Sequence, residues 1–121
     1  MNNVKLENSW WEPSSCSLYL QYSINDKLIN LIFSKEIVDD VFHDTCNSGN
    51  IKTDLEKAKN KVIETIETKD KKLNYLIQEA LKDKIVQEQL TKREVGQFII
   101  EMKHFYSHKN SNGREIYKDY R

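Results

Sequence analysis

The stretch Cys16-Ser17-Leu18-Tyr19-Leu20-Gln21-Tyr22-Ser23-Ile24-Asn25-Asp26-Lys27-Leu28-Ile29-Asn30-Leu31-Ile32-Phe33 decides the fold. Leu18, Leu20, Tyr22 and Ile24 alternate with Tyr19, Gln21 and Ser23, and a period of two is that of a β-strand. Asn25-Asp26 tolerates the positive φ of a two-residue turn, so Lys27 to Phe33 returns as a second strand. That loop sets Tyr22 against Ile29, Leu20 against Leu31 and Leu18 against Phe33, with Ile24 facing Lys27. One face is then apolar, and the other carries Ser23, Gln21, Tyr19, Leu28, Asn30 and Ile32. A slip of one residue would mix the two faces, so turn chemistry and pattern specify the same register. Two strands alone are marginal in water, and the apolar face must be covered by helices or extended by a third strand, for which Val4 to Trp10 is the candidate.

Downstream the period changes. Ser34 suits the N-cap of a short helix to about Asp44, with Ile37, Val38, Val41 and Phe42 as its apolar stripe. Asn47-Ser48-Gly49-Asn50 breaks it. No glycine or proline occurs from Ile51 to Val95, and Thr53-Asp54-Leu55-Glu56 reads as a capping box, in which hydroxyl and carboxylate satisfy backbone donors reciprocally. The stripe Leu55, Ala58, Val62, Ile63, Ile66 resumes in phase at Leu73, Leu76, Ile77, Ala80 and Leu81. Its length favours two helices broken near Asp70 over one. A second box, Thr91-Lys92-Arg93-Glu94, flanked by Leu90 and Val95, precedes Val95, Phe98, Ile99, Met102 and Tyr106 at helical spacing, which predicts a last helix to about His108. Asn110-Ser111-Asn112-Gly113 ends order. The expected fold is α+β: an N-terminal antiparallel hairpin, or a three-stranded sheet, packed on three to four helices in the C-terminal two-thirds. Residues 1–110 form one domain and 111–121 a polar tail.

The 121 residues hold 19 basic and 19 acidic side chains, so no global field draws the chain to nucleic acid or to an anionic membrane. Residues 1–50 carry 3 basic and 7 acidic groups, and the remainder 16 and 12, which is dilute for phosphate binding. No apolar run approaches the roughly 20 residues that span a bilayer. Met1-Asn2-Asn3-Val4-Lys5 lacks the pattern of a signal peptide, so a cytoplasmic location with Cys16 and Cys46 reduced is expected. Lysine-rich, asparagine- and isoleucine-rich usage points to a low-GC bacterium or its phage.

Gly49, Gly96 and Gly113 are isolated, which excludes a glycine-rich phosphate cradle, and neither a nucleophile elbow nor a Cys-x-x-Cys pair occurs. No cofactor and no catalytic residue is expected. His104 and His108, four apart on the expected helix, and His43 with Cys46 have metal-ligand spacing, yet loop, packing and helix-end roles explain them without a metal. A nucleic-acid surface would use Lys103, His104, Lys109, Arg114, Lys118 and Arg121, where cations interleave with aromatic rings. Trp10-Trp11 cannot both point inward from an extended segment. Packing of Trp10 leaves Trp11 half exposed over it as a partner anchor, and the expected partner-binding set is Trp10 and Trp11, Tyr19 and Ile32 on the hairpin, and Tyr117 and Tyr120 near the C-terminus. The expectation is a non-catalytic module that binds another protein, in its most specific form a stoichiometric inhibitor or immunity-type protein acting on, for example, a host nuclease. A nucleic-acid-binding regulator and a small enzyme or metal protein whose site is assembled from distant residues are the alternatives.

Overall fold

The computed structural model describes residues 3–42, 51–69, 72–109 and 115–117. Strand β1 (Val4–Glu12) pairs antiparallel with β2 (Ser17–Ile24), and β2 pairs antiparallel with β3 (Lys27–Ser34). The hairpin has the register that its pattern predicts, Leu20 opposite Leu31 and Tyr22 opposite Ile29, with Asn25 and Asp26 at φ 50 and 70° in the turn. The third strand also forms, and it contains a bulge between Leu6 and Asn8. A fourth strand, β4 (Gly96–Ile99), lies parallel to β3, which makes the sheet mixed, in the order β1-β2-β3-β4.

The helices cover one face of this sheet. Helix α1 (Lys35–Phe42) starts where Ile37 N donates to Ser34 Oγ at 3.2 Å, so Ser34 caps as its sequence position suggests. Helix α2 (Ile51–Glu64) begins two residues before Thr53 and passes into a π-helical turn (Thr65–Lys69). That turn brings the Glu67 carboxylate to the hydroxyl of fully buried Tyr22, which donates to it at 2.9 Å. Burial first, and the Glu67 charge second, push the phenol far above its ordinary range, so it stays a proton donor. Helix α3 (Leu73–Lys82) follows as a separate element; Asp70, the expected break, lies outside the described residues. A further break falls at Asp83, whose extended backbone ends α3 and whose carboxylate accepts from Ile85 N and Val86 N at 2.9 and 3.1 Å to start α4 (Lys84–Thr91).

Side chains from both layers meet in one core: Leu18, Leu20, Tyr22, Ile29, Leu31 and Phe33 of the sheet against Val38, Val41, Phe42, Val62, Ile66, Leu76, Ile77 and Val86 of the helices. The α+β class holds, with one strand more than expected in this sheet.

The expected last helix is the main correction. Thr91-Lys92-Arg93-Glu94 closes α4 instead of opening a helix: Glu94 N donates to Gln89 O at 2.8 Å and Arg93 N to Leu90 O at 3.0 Å, the paired bonds of a Schellman C-cap. Arg93 takes the left-handed position, φ 61°, that glycine usually fills there. Beyond it the chain is β4, a 3-10 turn (Met102–Phe105) and β5 (Tyr106–Lys109), which pairs with β6 (Glu115–Tyr117) inside the segment expected to be a tail. Among the described residues no helix is long and apolar enough to cross a membrane.

Candidate functional site

The sheet face away from the helices carries a row of four large side chains, one per strand. In register, Trp10 of β1 lies opposite Tyr19 of β2, Tyr19 opposite Ile32 of β3, and Ile32 beside Ile99 of β4. With strands about 4.8 Å apart, the row crosses roughly 14 Å of sheet. The Trp10 and Tyr19 rings stack at 5.2 Å with 22° between their planes. Trp10, Tyr19 and Ile32 are half-buried, and Ile99 is 65% exposed. None of the four joins the core cluster or packs against it.

A row of amides runs beside the apolar one. Gln21 Nε2 donates to Asn30 Oδ1 and Asn30 Nδ2 donates to Gln97 Oε1, both at 3.2 Å, with Asn8 in register at the β1 end. Asn30 is 5% exposed, and an amide buried without partners would cost a few kcal/mol, roughly 1–3. The chain of amides removes that cost and holds the three side chains flat. The face is therefore neutral at its centre. Charged groups stand toward its ends, among them Glu7, which accepts from Ser23 Oγ at 3.0 Å.

The structure brings together Trp10, Tyr19 and Ile32 of the expected partner-binding set, and it separates Trp11. The expected orientation of the two indoles is reversed: Trp11 turns to the helical side, where Nε1 donates to Leu55 O at 2.8 Å, while Trp10 turns outward. Tyr117 lies in β6 of the smaller sheet, and Tyr120 lies outside the described residues. Ile99 is the member that sequence reasoning missed, because a helical reading of its segment put it on an apolar stripe with Phe98.

The residues considered for nucleic acid do not share a helix. Lys103 is exposed and pairs with Glu101 at 3.4 Å, His104 is 5% exposed, and Lys109 lies in β5. Arg114, Lys118 and Arg121 lie outside the described residues. His104 sits in the 3-10 turn and His108 in β5, so the helical i to i+4 spacing of a metal pair is absent. His43 and Cys46 lie outside the described residues. Among those described, no group of three or more His, Cys, Asp or Glu side chains could hold a metal ion.

His104 has a structural post. Glu101 N donates to its Nδ1 at 2.9 Å, the same Nδ1 lies 3.2 Å from Glu101 O, and its ring meets the Phe98 ring edge-on at 5.2 Å. Burial lowers its pKa and Lys103 adds to that, against the opposing pull of Glu101 and Glu79. In an unfolded chain the same imidazole titrates near its ordinary value, about 6.5. Acid therefore protonates the unfolded state first. The contribution of neutral His104 is complete above about pH 6.5 and is lost as pH falls toward the lowered folded value. The denaturation midpoint should drop between pH 7.5 and 5.5, and His104→Asn should remove part of that drop. An identical pH profile in the variant would show that another group carries it.

A solvent-facing cleft of about 530 Å³ lies between the Asn25-Asp26 turn and the α4–β4 connection, lined by Lys27, Leu28, Leu90, Arg93 and Glu94. Its charged side chains are exposed and of both signs, which gives it no preference for one ligand charge. Comparison with protein-family models, with curated proteins and with solved structures gave no significant match.

Proposed function

We propose that this chain is a non-catalytic module that binds another protein on the open face of its four-stranded sheet. The observation that carries the reading is the row Trp10, Tyr19, Ile32 and Ile99, which spans every strand of the sheet on the side that the described helices leave bare. Aromatic and aliphatic side chains held rigid by a sheet give contact area at small entropic cost. The neighbouring amides bond to one another, so they supply a flat neutral floor and no group poised for proton transfer.

The test is capture from a native lysate with matched variants. Ile99→Asp changes an exposed side chain and should leave melting unaltered, while weakening partner retention by about 30-fold or more, as loss of a hot spot does. Lys103→Ala should retain the partner. Binding should be nearly unchanged between 50 and 200 mM salt, whereas 6–10 phosphate contacts would cost about 10³–10⁵ in affinity over that range. Nucleic acid recovered with a steep salt slope, indifferent to Ile99→Asp, would overturn the reading.

A further inference from the structure

Among the described residues strand β4 is an edge of its sheet, and outward backbone donors of its segment are bonded to side chains. Ile100 N donates to Ile32 O at 2.9 Å, so even-numbered residues of this segment turn their N–H groups toward β3. By the alternation of a strand, Gln97, Ile99 and Glu101 turn theirs away from it. Two of those three outward donors are taken by side chains. Gln97 N donates to Gln89 Oε1 of α4 at 2.7 Å, and Glu101 N donates to His104 Nδ1 of the 3-10 turn at 2.9 Å. Ile99, 65% exposed, lies between the two caps.

We infer that Gln89 and His104 are plugs on an open strand edge, and that the occupant they exclude is the same edge of a second copy of this chain. An uncovered edge is a template for strand addition, which proteins counter by blocking its donors. The register available to two copies is self-complementary. With Ile99 on the two-fold axis of an antiparallel pair, Gln97 of one copy faces Glu101 of the other, so no like charges meet; the Glu101 carbonyl, which already accepts from His104 N at 3.0 Å, would use its second lone pair in that pairing. Each plug removes one of those donors, and because the pairing is reciprocal each plug blocks both ends of the dimer. Ile99 alone remains, which is too little for a ladder. This inference does not depend on the partner-binding reading, since it concerns self-association and the strand edge, not the sheet face.

The test compares sedimentation of the full chain, over a range of concentrations, with that of Gln89→Met/His104→Phe. The substitutions keep the length of one side chain and a ring in place of the other, and remove both acceptors. The parent should be monomeric, and so should Gln89→Glu and His104→Asn, which keep a side-chain acceptor at each capping position. The double variant should dimerise with concentration, and adding Ile99→Pro, which deletes an outward N–H and no internal bond, should return it to monomer. A cooperatively melting double variant that stays monomeric, or a dimer unaffected by Ile99→Pro, would overturn the inference. If the double variant does not fold, Gln89→Met alone decides through hydrogen exchange. The Gln97 amide should exchange about tenfold faster in it, the equivalent of one net hydrogen bond, and an unchanged rate in a variant that melts like the parent would equally refute the plug.

Discussion

Replacing Phe42 with alanine is expected to cost about 3–5 kcal/mol of stability, the range for truncating a fully buried aromatic side chain. Phe33, Phe42 and Phe105 are all inaccessible to solvent. The Phe42 ring meets Phe33 at 6.4 Å and 70°, and Phe105 at 5.6 Å and 82°. Both are edge-to-face contacts, each worth about 0.5–1.5 kcal/mol beyond the area it buries. Phe42 thus joins β3 through Phe33 to the 3-10 turn through Phe105, and in a close-packed core its removal leaves a cavity that the neighbours fill only in part. Set against a total of about 5–15 kcal/mol for a domain, the loss is a large fraction. Urea denaturation followed by the fluorescence of Trp10 and Trp11 should show a lower midpoint with an unchanged slope. Phe42→Leu, which keeps most of the volume, should lose far less. A Phe42→Ala variant within about 1 kcal/mol of the parent would mean that the aromatic chain does not bind these segments together.

The legible part of this fold is the part where local signals agree. In the β2–β3 hairpin the turn residues, the alternation and the pairing of apolar side chains all specify one register, and the structure has it. Ser34 caps α1, its hydroxyl accepting from Ile37 N three residues on, the spacing that its place before the apolar stripe implies. The indoles were harder. Uninterrupted alternation from Val4 and Leu6 would carry Trp10 inward, and the bulge at Glu7 shifts the phase so that Trp11 takes that place. The only local trace of it is the polar run Glu7-Asn8-Ser9, where Asn8 Oδ1 accepts from Ser9 N at 2.9 Å. Sheet contact with Tyr19 and the Leu55 carbonyl then hold the two rings on opposite sides, and Leu55 lies 44 residues beyond Trp11 in sequence.

The open face was half legible for the same reason. Tyr19 and Ile32 follow from the hairpin register, whereas Ile99 needs a strand 67 residues beyond its neighbour in the ladder. Thr91-Lys92-Arg93-Glu94 has the residue types of a helix start, and the same four residues serve a helix end because Arg93 adopts a left-handed conformation that its side chain does not advertise. Phe98-Ile99-Ile100 fits either period. Burial decides it: Gly96, Phe98 and Ile100 are buried, while Gln97 is half-buried and Ile99 exposed, an alternation of two.

Gly96→Ala separates the two readings by the sign of its effect. In a helix interior the change would stabilise by about 0.8–1 kcal/mol, the difference in propensity between the residues. In the strand it should destabilise. A Cβ on Gly96 would lie 2.9 Å from Val86 Cγ1 and 3.4 Å from Ile29 Cγ1. Val86 and Ile29 are both inaccessible to solvent, and a β-branched valine on a helix has essentially one χ1 rotamer, so the methyl cannot swing aside. Relief requires α4 to move off β4, against the Gln89 bond to Gln97 N. Overpacking of this kind costs about 1–3 kcal/mol, more than the roughly 0.4–1 kcal/mol that a stiffer unfolded chain returns. Gly96→Val should be worse. Because the clash is with one residue, Val86→Ala should partly restore Gly96→Ala, so the double variant loses less than the two single losses combined. Equal melting of parent and Gly96→Ala, or strict additivity in the cycle, would show that β4 and α4 do not make this close approach.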